Sequence, residues 1–294
     1  MLANSEIMPI HNGSVWEAIM SDKQTHKHKV LKAAAVLVLL AIVGVAIYLG
    51  TYYRPDSYAL ASMQDTDQVR VVQLEGGDYA FVPINLMEDP DHTGLASKQD
   101  PIVFRPEADV DVLVFYPGGK VGKRSYAPLA QECAKRGMVF VLVDMPFNMA
   151  LLDMDADDDV ADQLVNVDDR YLGGHSLGGV SACMHVARCG QDYKGLVLLA
   201  AYSTEDLTAS GLDVLSIYGS EDGVLNMQRY RECLPNLGEA HVEELIIQGG
   251  NHAGFADYGV QSGDGQASIS NDEQMAQTAD AISRFMTKEG NGAV

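Results

Sequence analysis

Short apolar runs recur through the later two-thirds of the chain, and they limit its fold more than any other feature. DVLVFYP (111–117), MVFVLVDMP (138–146), GLVLLAA (195–201) and DVLSIYG (213–219) are almost continuously apolar. A strand with one wet face alternates. A continuous run fits a strand covered on both faces, as in a parallel sheet flanked by helices. RYLGGH (170–175) and HVEELIIQ (241–248) read as further strands. Between them lie helix-like stretches: SYAPLAQECAKRG ending at Gly137, a segment over 148–165, Leu177 to Cys189, one over 226–234, and an amphipathic one over 272–287. Ahead of them VRVVQLEGGDYAFVP (69–83) carries a hairpin signal at Gly76-Gly77, and PIVFRP (101–106) offers one more short strand. The alternation predicts a mostly parallel sheet with helices on both faces, in one domain over residues 70–290.

The N-terminal part follows different rules. AAAVLVLLAIVGVAIYLG (33–50) is eighteen residues without a charge. Tyr52 and Tyr53 extend it towards an aromatic edge before Arg54, so 33–53 is expected to span a membrane. Lys23, Lys27, Lys29 and Lys32 precede the run and only Arg54 follows closely. The positive-inside rule then places 1–32 in the cytoplasm and everything after Arg54 outside. Residues 54–69 read as a polar tether. The rival is a cleaved signal peptide, with Ala59-Leu60-Ala61 as the cleavage site; that site lies far past the apolar run, which favours an uncleaved anchor. Met20 opens MSDKQTHKHK, an ordinary basic start, and is the expected initiator.

The formal charge of −21 argues against a nucleic-acid partner, whose phosphates it repels. The acidic cluster DMDADDD (153–159) lacks the Gly and Glu that a calcium loop needs at its sixth and twelfth positions, where Asp158 and Leu164 stand. It reads as a solvated helix start. Four cysteines, Cys133, Cys183, Cys189 and Cys233, form no C-x-x-C and are expected to be free thiols. Neither a metal nor a cofactor is expected.

GGHSLGG (173–179) contains G-x-S-x-G between a strand and a helical run. That is the strand–turn–helix setting in which a serine is exposed on a strained turn. Gly174 and Gly178, lacking a Cβ, leave room for it, and the following helix aims its N-terminus at a developing oxyanion. A serine hydroxyl needs a base. Of the histidines after Ser176, His185 shares its helix and His241 opens a strand at the wrong end of the sheet. His252, in GGNHAGF just past the last strand, stands where ligand-facing loops gather. The acid expected in DVLSIYGSEDG is Asp222, with Asp206 or Glu205 after GLVLLAA as the runner-up. An oxyanion hole would draw N–H groups from Leu177 and from the loop Tyr116-Pro117-Gly118-Gly119-Lys120; Gly119 is the expected donor, with Lys120 or Gly118 as alternatives.

With YPGG, GGHSLGG, YGSEDG and GGNHAGF in this order, residues 70–288 resemble the α/β-hydrolase superfamily, and most of all its small bacterial serine hydrolases grouped near dienelactone hydrolases. Dienelactone hydrolases proper use cysteine where this chain has Ser176. The resemblance implies a Ser176–Asp222–His252 triad and hydrolysis of an ester or related acyl bond. Only YSTEDLTASGL separates two strands that often flank a lid, so no lid domain is expected over a small acyl substrate. FADYGVQSGDGQASIS (255–270) reads as a loop into the last helix, or as a flap beside His252. An acyltransferase on the same triad and an inactive surface binding module are the competing functions.

Overall fold

The computed structural model describes residues 13–92, 94–238 and 242–287. The chain forms two units, Met1–Thr51 and Tyr52–Val294. In the first, helix α1 runs from Gly13 to Gly50. Its stretch Leu31–Tyr48 is 18 residues long, apolar enough to cross a membrane, and exposed throughout. At 1.5 Å per residue it extends about 27 Å, close to the hydrocarbon thickness of a bilayer.

The helix ends at Gly50, short of the expected 53. Thr51, Tyr52 and Tyr53 favour extended backbone, and Pro55 biases the residue before it the same way. Tyr53 instead forms a β-bridge with Val121 inside the second unit. The expected tether over 54–69 also differs. Helix α2 (Ser57–Ala61) buries Ala59 completely, and the Ala59 N–H donates to Asp257 Oδ2 at 3.0 Å. Gln131 Nε2 donates to the carbonyls of Ser62 and Gln64, both at 3.0 Å. A few apolar side chains, Ala59 and Met63 among them, suffice to dock a segment that is polar by composition.

The second unit is built on an eight-stranded sheet. Its chain supplies β1 (Val69–Gln73), β2 (Tyr79–Pro83), β3 (Ile102–Val103), β4 (Asp111–Tyr116), β5 (Val139–Leu142), β6 (Leu164–Val165), β7 (Asp169–His175), β8 (Gly195–Leu199), β9 (Asp213–Gly219) and β10 (Val242–Ile247). The order across the sheet is β1-β2-β5-β4-β7-β8-β9-β10; β3 and β6 pair separately. β2 is antiparallel to β1 and β5, and the six strands from β5 to β10 are parallel. Helices α3 (Ala127–Lys135) and α7 (Asn271–Met286) cover one face, and α5 (Leu177–Cys189) the other. β4 shows why a continuous apolar run was needed: Leu113 and Phe115 join the α3–α7 core, while Val112 and Val114 join the α5 core. α6 (Met227–Cys233) follows β9, and Ser270 caps α7 by accepting the Glu273 N–H at 3.1 Å.

The 148–165 segment does not form the expected helix. It holds a 3₁₀ turn at Ala150–Leu152, the four-residue α4 (Asp158–Ala161) and β6. Six aspartates lie between 153 and 162, and Asp competes for local backbone hydrogen bonds that a helix needs. The acidic cluster is a solvated helix start, with exposed Asp158 and Asp159 in the first turn of α4, except at one member. Asp157 is fully buried and accepts from Tyr116 Oη at 2.7 Å and from Tyr193 Oη. The chain passes from β4 to β5 on one side and later to β7 on the other. In such sheets ligands bind where the order reverses, at the carboxyl ends of the strands. Here those are the ends of β4 and β7.

Candidate active site

Ser176 follows β7 directly, with φ 52° and ψ −121°, a left-handed backbone rarely adopted by a residue with a Cβ. The turn is held by Ser176 N–H donating to Leu199 O at 2.9 Å and Val180 N–H donating to Ser176 O at 3.1 Å. The flanking glycines are required by contact. A Cβ on Gly174 would lie 2.5 Å from Gly178 C, and one on Gly178 would lie 2.2 Å from Tyr116 O. β7, α5 and the end of β4 meet with no room for a methyl group.

Asp222 and His252 come together from the loops after β9 and β10. His252 Nδ1 lies 2.8 Å from Asp222 Oδ2, and both side chains are 1% exposed. Asp222 Oδ1 accepts the N–H groups of Val224 and Leu225 at 2.8 and 2.7 Å, which fixes the carboxylate. An ionised acid assigns the proton to His252 Nδ1 and leaves a lone pair on Nε2. That Nε2 is buried and has no hydrogen-bond partner among the described residues. The other candidate acids are directed elsewhere. Asp206 is exposed and accepts from Thr208 N–H and Oγ1, and Glu205, half-buried, lies in the same loop after β8. His185 binds Asp155 and Tyr193, and His241 lies outside the described residues.

The β4 loop separates its candidate donors. Gly118 N–H donates to Tyr126 Oη at 2.9 Å, and Lys120 N–H to Asn148 O at 2.7 Å. Val121 N–H donates to Gly118 O at 3.0 Å. Gly119 N–H has no acceptor among the described residues. Leu177 N–H opens α5, where no intrahelical acceptor exists. The two are neighbours, since a Cβ on Gly119 would meet Leu177 Cδ2 at 2.8 Å.

Three groups that sequence reasoning missed support these parts. Tyr126 Oη accepts from Gly118 N–H and lies 2.7 Å from His175 Nδ1, so it joins the β4 loop to the turn before Ser176. The His175 ring sits 4.5 Å from the His252 ring. Burial first, and the charge of His252 second, hold the His175 pKa well below 6.5, so it stays neutral. Asp264 lies in the segment read as a loop or flap. Its carboxylate accepts from Gly223 N–H (3.1 Å), His252 N–H (3.2 Å) and Ala253 N–H (2.8 Å), so it ties the acid's loop to the histidine's loop. The only signal for Asp264 was its place between Gly263 and Gly265, where a Cβ on Gly265 would meet Glu221 O at 1.9 Å.

The alpha/beta hydrolase family model matches residues 112–276, more than half of the chain, and the chain belongs to that family of hydrolases. Dienelactone hydrolases remain a point of resemblance only. No curated protein matches the chain. Among solved structures it is similar to Est1E from Butyrivibrio proteoclasticus, at 14% identity over 75% of this chain and 98% of that one, with a TM-score of 0.46. It is also similar to the apo form of Thermogutta terrifontis esterase 2, at 14% identity over 79% and 98%, with a TM-score of 0.49. Naproxen esterase (carboxylesterase NP) from Bacillus subtilis matches at 13% identity over 78% and 94%, with a TM-score of 0.49.

Proposed function

We propose that this chain is a serine hydrolase that cleaves ester or related acyl bonds through Ser176, His252 and Asp222. The observation that carries the proposal is the buried Asp222–His252 pair beside a strained serine turn: His252 Nε2 has no partner among the described residues, and its ring lies 4.5 Å from that of His175, the residue before Ser176. No hydrogen bond joins Ser176 to His252 among the described residues; rotation of Ser176 about χ1 or entry of substrate would complete it, since such bonds tighten in the loaded enzyme.

The steps follow from the donors and acceptors. Ser176 Oγ attacks the acyl carbon as its proton passes to His252 Nε2. The carbonyl oxygen becomes an oxyanion between the N–H groups of Gly119 and Leu177. Asp222 stabilises the imidazolium and holds the ring orientation. The imidazolium gives its proton to the leaving alcohol, and the acyl group stays on Ser176. Water then attacks the acyl carbon, again with His252 as base. The acid leaves and Ser176 recovers its proton.

The stretch Leu31–Tyr48 supports a membrane anchor, and the lysines before it support a cytoplasmic N-terminus with the hydrolase unit outside. Cleavage after Ala61 would discard Tyr53 and Ala59, both of which the folded unit uses, so an uncleaved anchor is favoured.

The test is turnover of p-nitrophenyl esters of increasing acyl length by the full chain in detergent, beside Ser176→Ala. An early burst of p-nitrophenol, absent from Ser176→Ala, is the expected result. Steady turnover that survives the substitution would refute the proposal.

A further inference from the structure

We infer that the segment immediately after α1 is a working part of the oxyanion hole, with Tyr53 as its positioning residue. The inference rests on the assignment of Gly119 N–H as an oxyanion donor. Tyr53 lies along the β4 loop and is hydrogen-bonded to it at two points. Its N–H donates to Lys120 O at 2.7 Å, and its carbonyl accepts Gly122 N–H at 2.9 Å. Val121, the residue between these two bonds, donates its N–H to Gly118 O at 3.0 Å. In a trans peptide the C=O and the next N–H point in opposite directions. Fixing Gly118 C=O towards Val121 therefore aims Gly119 N–H the other way, at a residue whose α-carbon packs beside Leu177. The segment sets Val121, Val121 sets the Gly118–Gly119 peptide plane, and that plane sets the donor.

The loop needs this support. Lys120 stands at φ 63°, and Asn148, whose carbonyl accepts the Lys120 N–H, stands at φ 56°. Two non-glycine residues in left-handed backbone hold each other, and such conformations persist only where the surroundings over-determine them. The segment is itself firmly seated. The Tyr53 ring lies 5.3 Å from the Tyr258 ring, Asp56 N–H donates to Asp257 O at 3.0 Å, and Ala59 N–H donates to the Asp257 carboxylate. Both partners come from the stretch that follows His252. The segment thus bridges the oxyanion loop and the chain just beyond the histidine, and a free polar tether would do neither.

The experiment compares Tyr53→Pro and Tyr53→Ala in the full chain in detergent, with p-nitrophenyl butyrate as the probe. Proline removes the N–H that holds Lys120; alanine keeps both backbone bonds and loses only the ring. Tyr53→Pro is expected to lower kcat by about tenfold to a hundredfold, short of the 10²–10³ lost with an outright oxyanion donor, and to leave KM within about twofold. Tyr53→Ala keeps both backbone bonds and loses only the ring contact with Tyr258, so it is expected to lower kcat clearly less than Tyr53→Pro does. Gly122→Pro is the second variant, should Tyr53→Pro not fold. Gly122 has φ −63°, within proline's range, its new Cβ would press only on the Tyr52 ring edge at 3.2 Å and on Pro55 at 3.4 Å, and the change removes the other bond. It is expected to show the same loss in kcat at constant KM. Proline variants with wild-type kcat would overturn the inference, and so would equal losses in Tyr53→Ala and Tyr53→Pro. A wild-type chain that turns over no ester would instead refute the serine hydrolase proposal itself.

Discussion

Two histidines in this domain sit in similar company, and only one has the features of a reaction centre. His252 Nδ1 lies 2.8 Å from Asp222, and His185 Nδ1 lies 2.8 Å from Asp155. His252 is paired with Ser176 in the proposed mechanism, and His185 has a cysteine beside it. His185 Nε2 is even the better placed, 3.0 Å from Cys189 Sγ. The difference lies in what remains unsatisfied. His185 Nε2 also meets Tyr193 Oη at 2.8 Å, and the adjoining Asp157 is saturated by Tyr116, Tyr193 and Arg170. Burial, with Asp157, Asp192 and Asp158 adding to it, pushes the Cys189 thiol up to about 11, so it stays protonated. Around His252 the bonds are left open among the described residues: a bare Nε2, a serine on strained backbone, and two N–H groups without acceptors. An acid–histidine pair beside a nucleophile holds a fold together when its bonds are complete. It can do chemistry when they are not.

The sharpest way to break this comparison is to delete both nucleophiles. Ser176→Ala is expected to lower kcat by about 10⁴–10⁶, and Cys189→Ala to leave it within about twofold, read as ester turnover per folded molecule. The acids come next. Asp222→Asn is expected to lower kcat by about 10⁴ through the wrong tautomer of His252. Asp155→Asn should leave kcat unchanged, while Asp157→Asn should cost about 1–3 kcal/mol in urea melts without altering kcat, because it disturbs a buried and satisfied network. A fall in kcat from either substitution would erase the distinction between the two clusters.

How much of this contrast could be read from the sequence depends on the distance over which each residue finds its partners. The strands were legible because continuous apolar runs must be covered on both faces, as Val112–Phe115 are. The serine turn was legible because Gly174 and Gly178 sit where backbone touches backbone. The 153–159 cluster was not. Its buried member, Asp157, is satisfied by Tyr116 and Tyr193, which are far away in the chain, and nothing local distinguishes it from its solvated neighbours. The 54–69 segment misled for a related reason, since a few apolar side chains and backbone hydrogen bonds to distant residues dock it, and its overall polar composition reveals neither. Asp264 and Tyr126 likewise act on N–H groups of other loops.

Smaller effects sharpen the comparison. Tyr126→Phe removes the link between Gly118 N–H and His175 and is expected to lower kcat about tenfold with KM unchanged, because it loosens an oxyanion donor rather than removing one. The weakest lever is pH. His175 has a folded pKa well below its ordinary 6.5, so the unfolded chain binds the extra proton as pH falls. The stability it contributes is present above 6.5 and is lost below it. Asp78 has the opposite sign. Burial raises its carboxyl from 3.8 to about 6, so its contribution is present below 3.8 and is lost as pH rises through about 6. In urea melts His175→Gln is expected to flatten the acid-side loss below 6.5, and Asp78→Asn to flatten the loss between 3.8 and 6.

The most direct measurement is to map a fluorophosphonate adduct on the full chain by peptide mass spectrometry, with His252→Ala beside it. A single adduct on Ser176, lost in His252→Ala and unaffected by Asp155→Asn, is the predicted result. A folded wild-type chain with no adduct, or an adduct that survives the loss of His252, would contradict it.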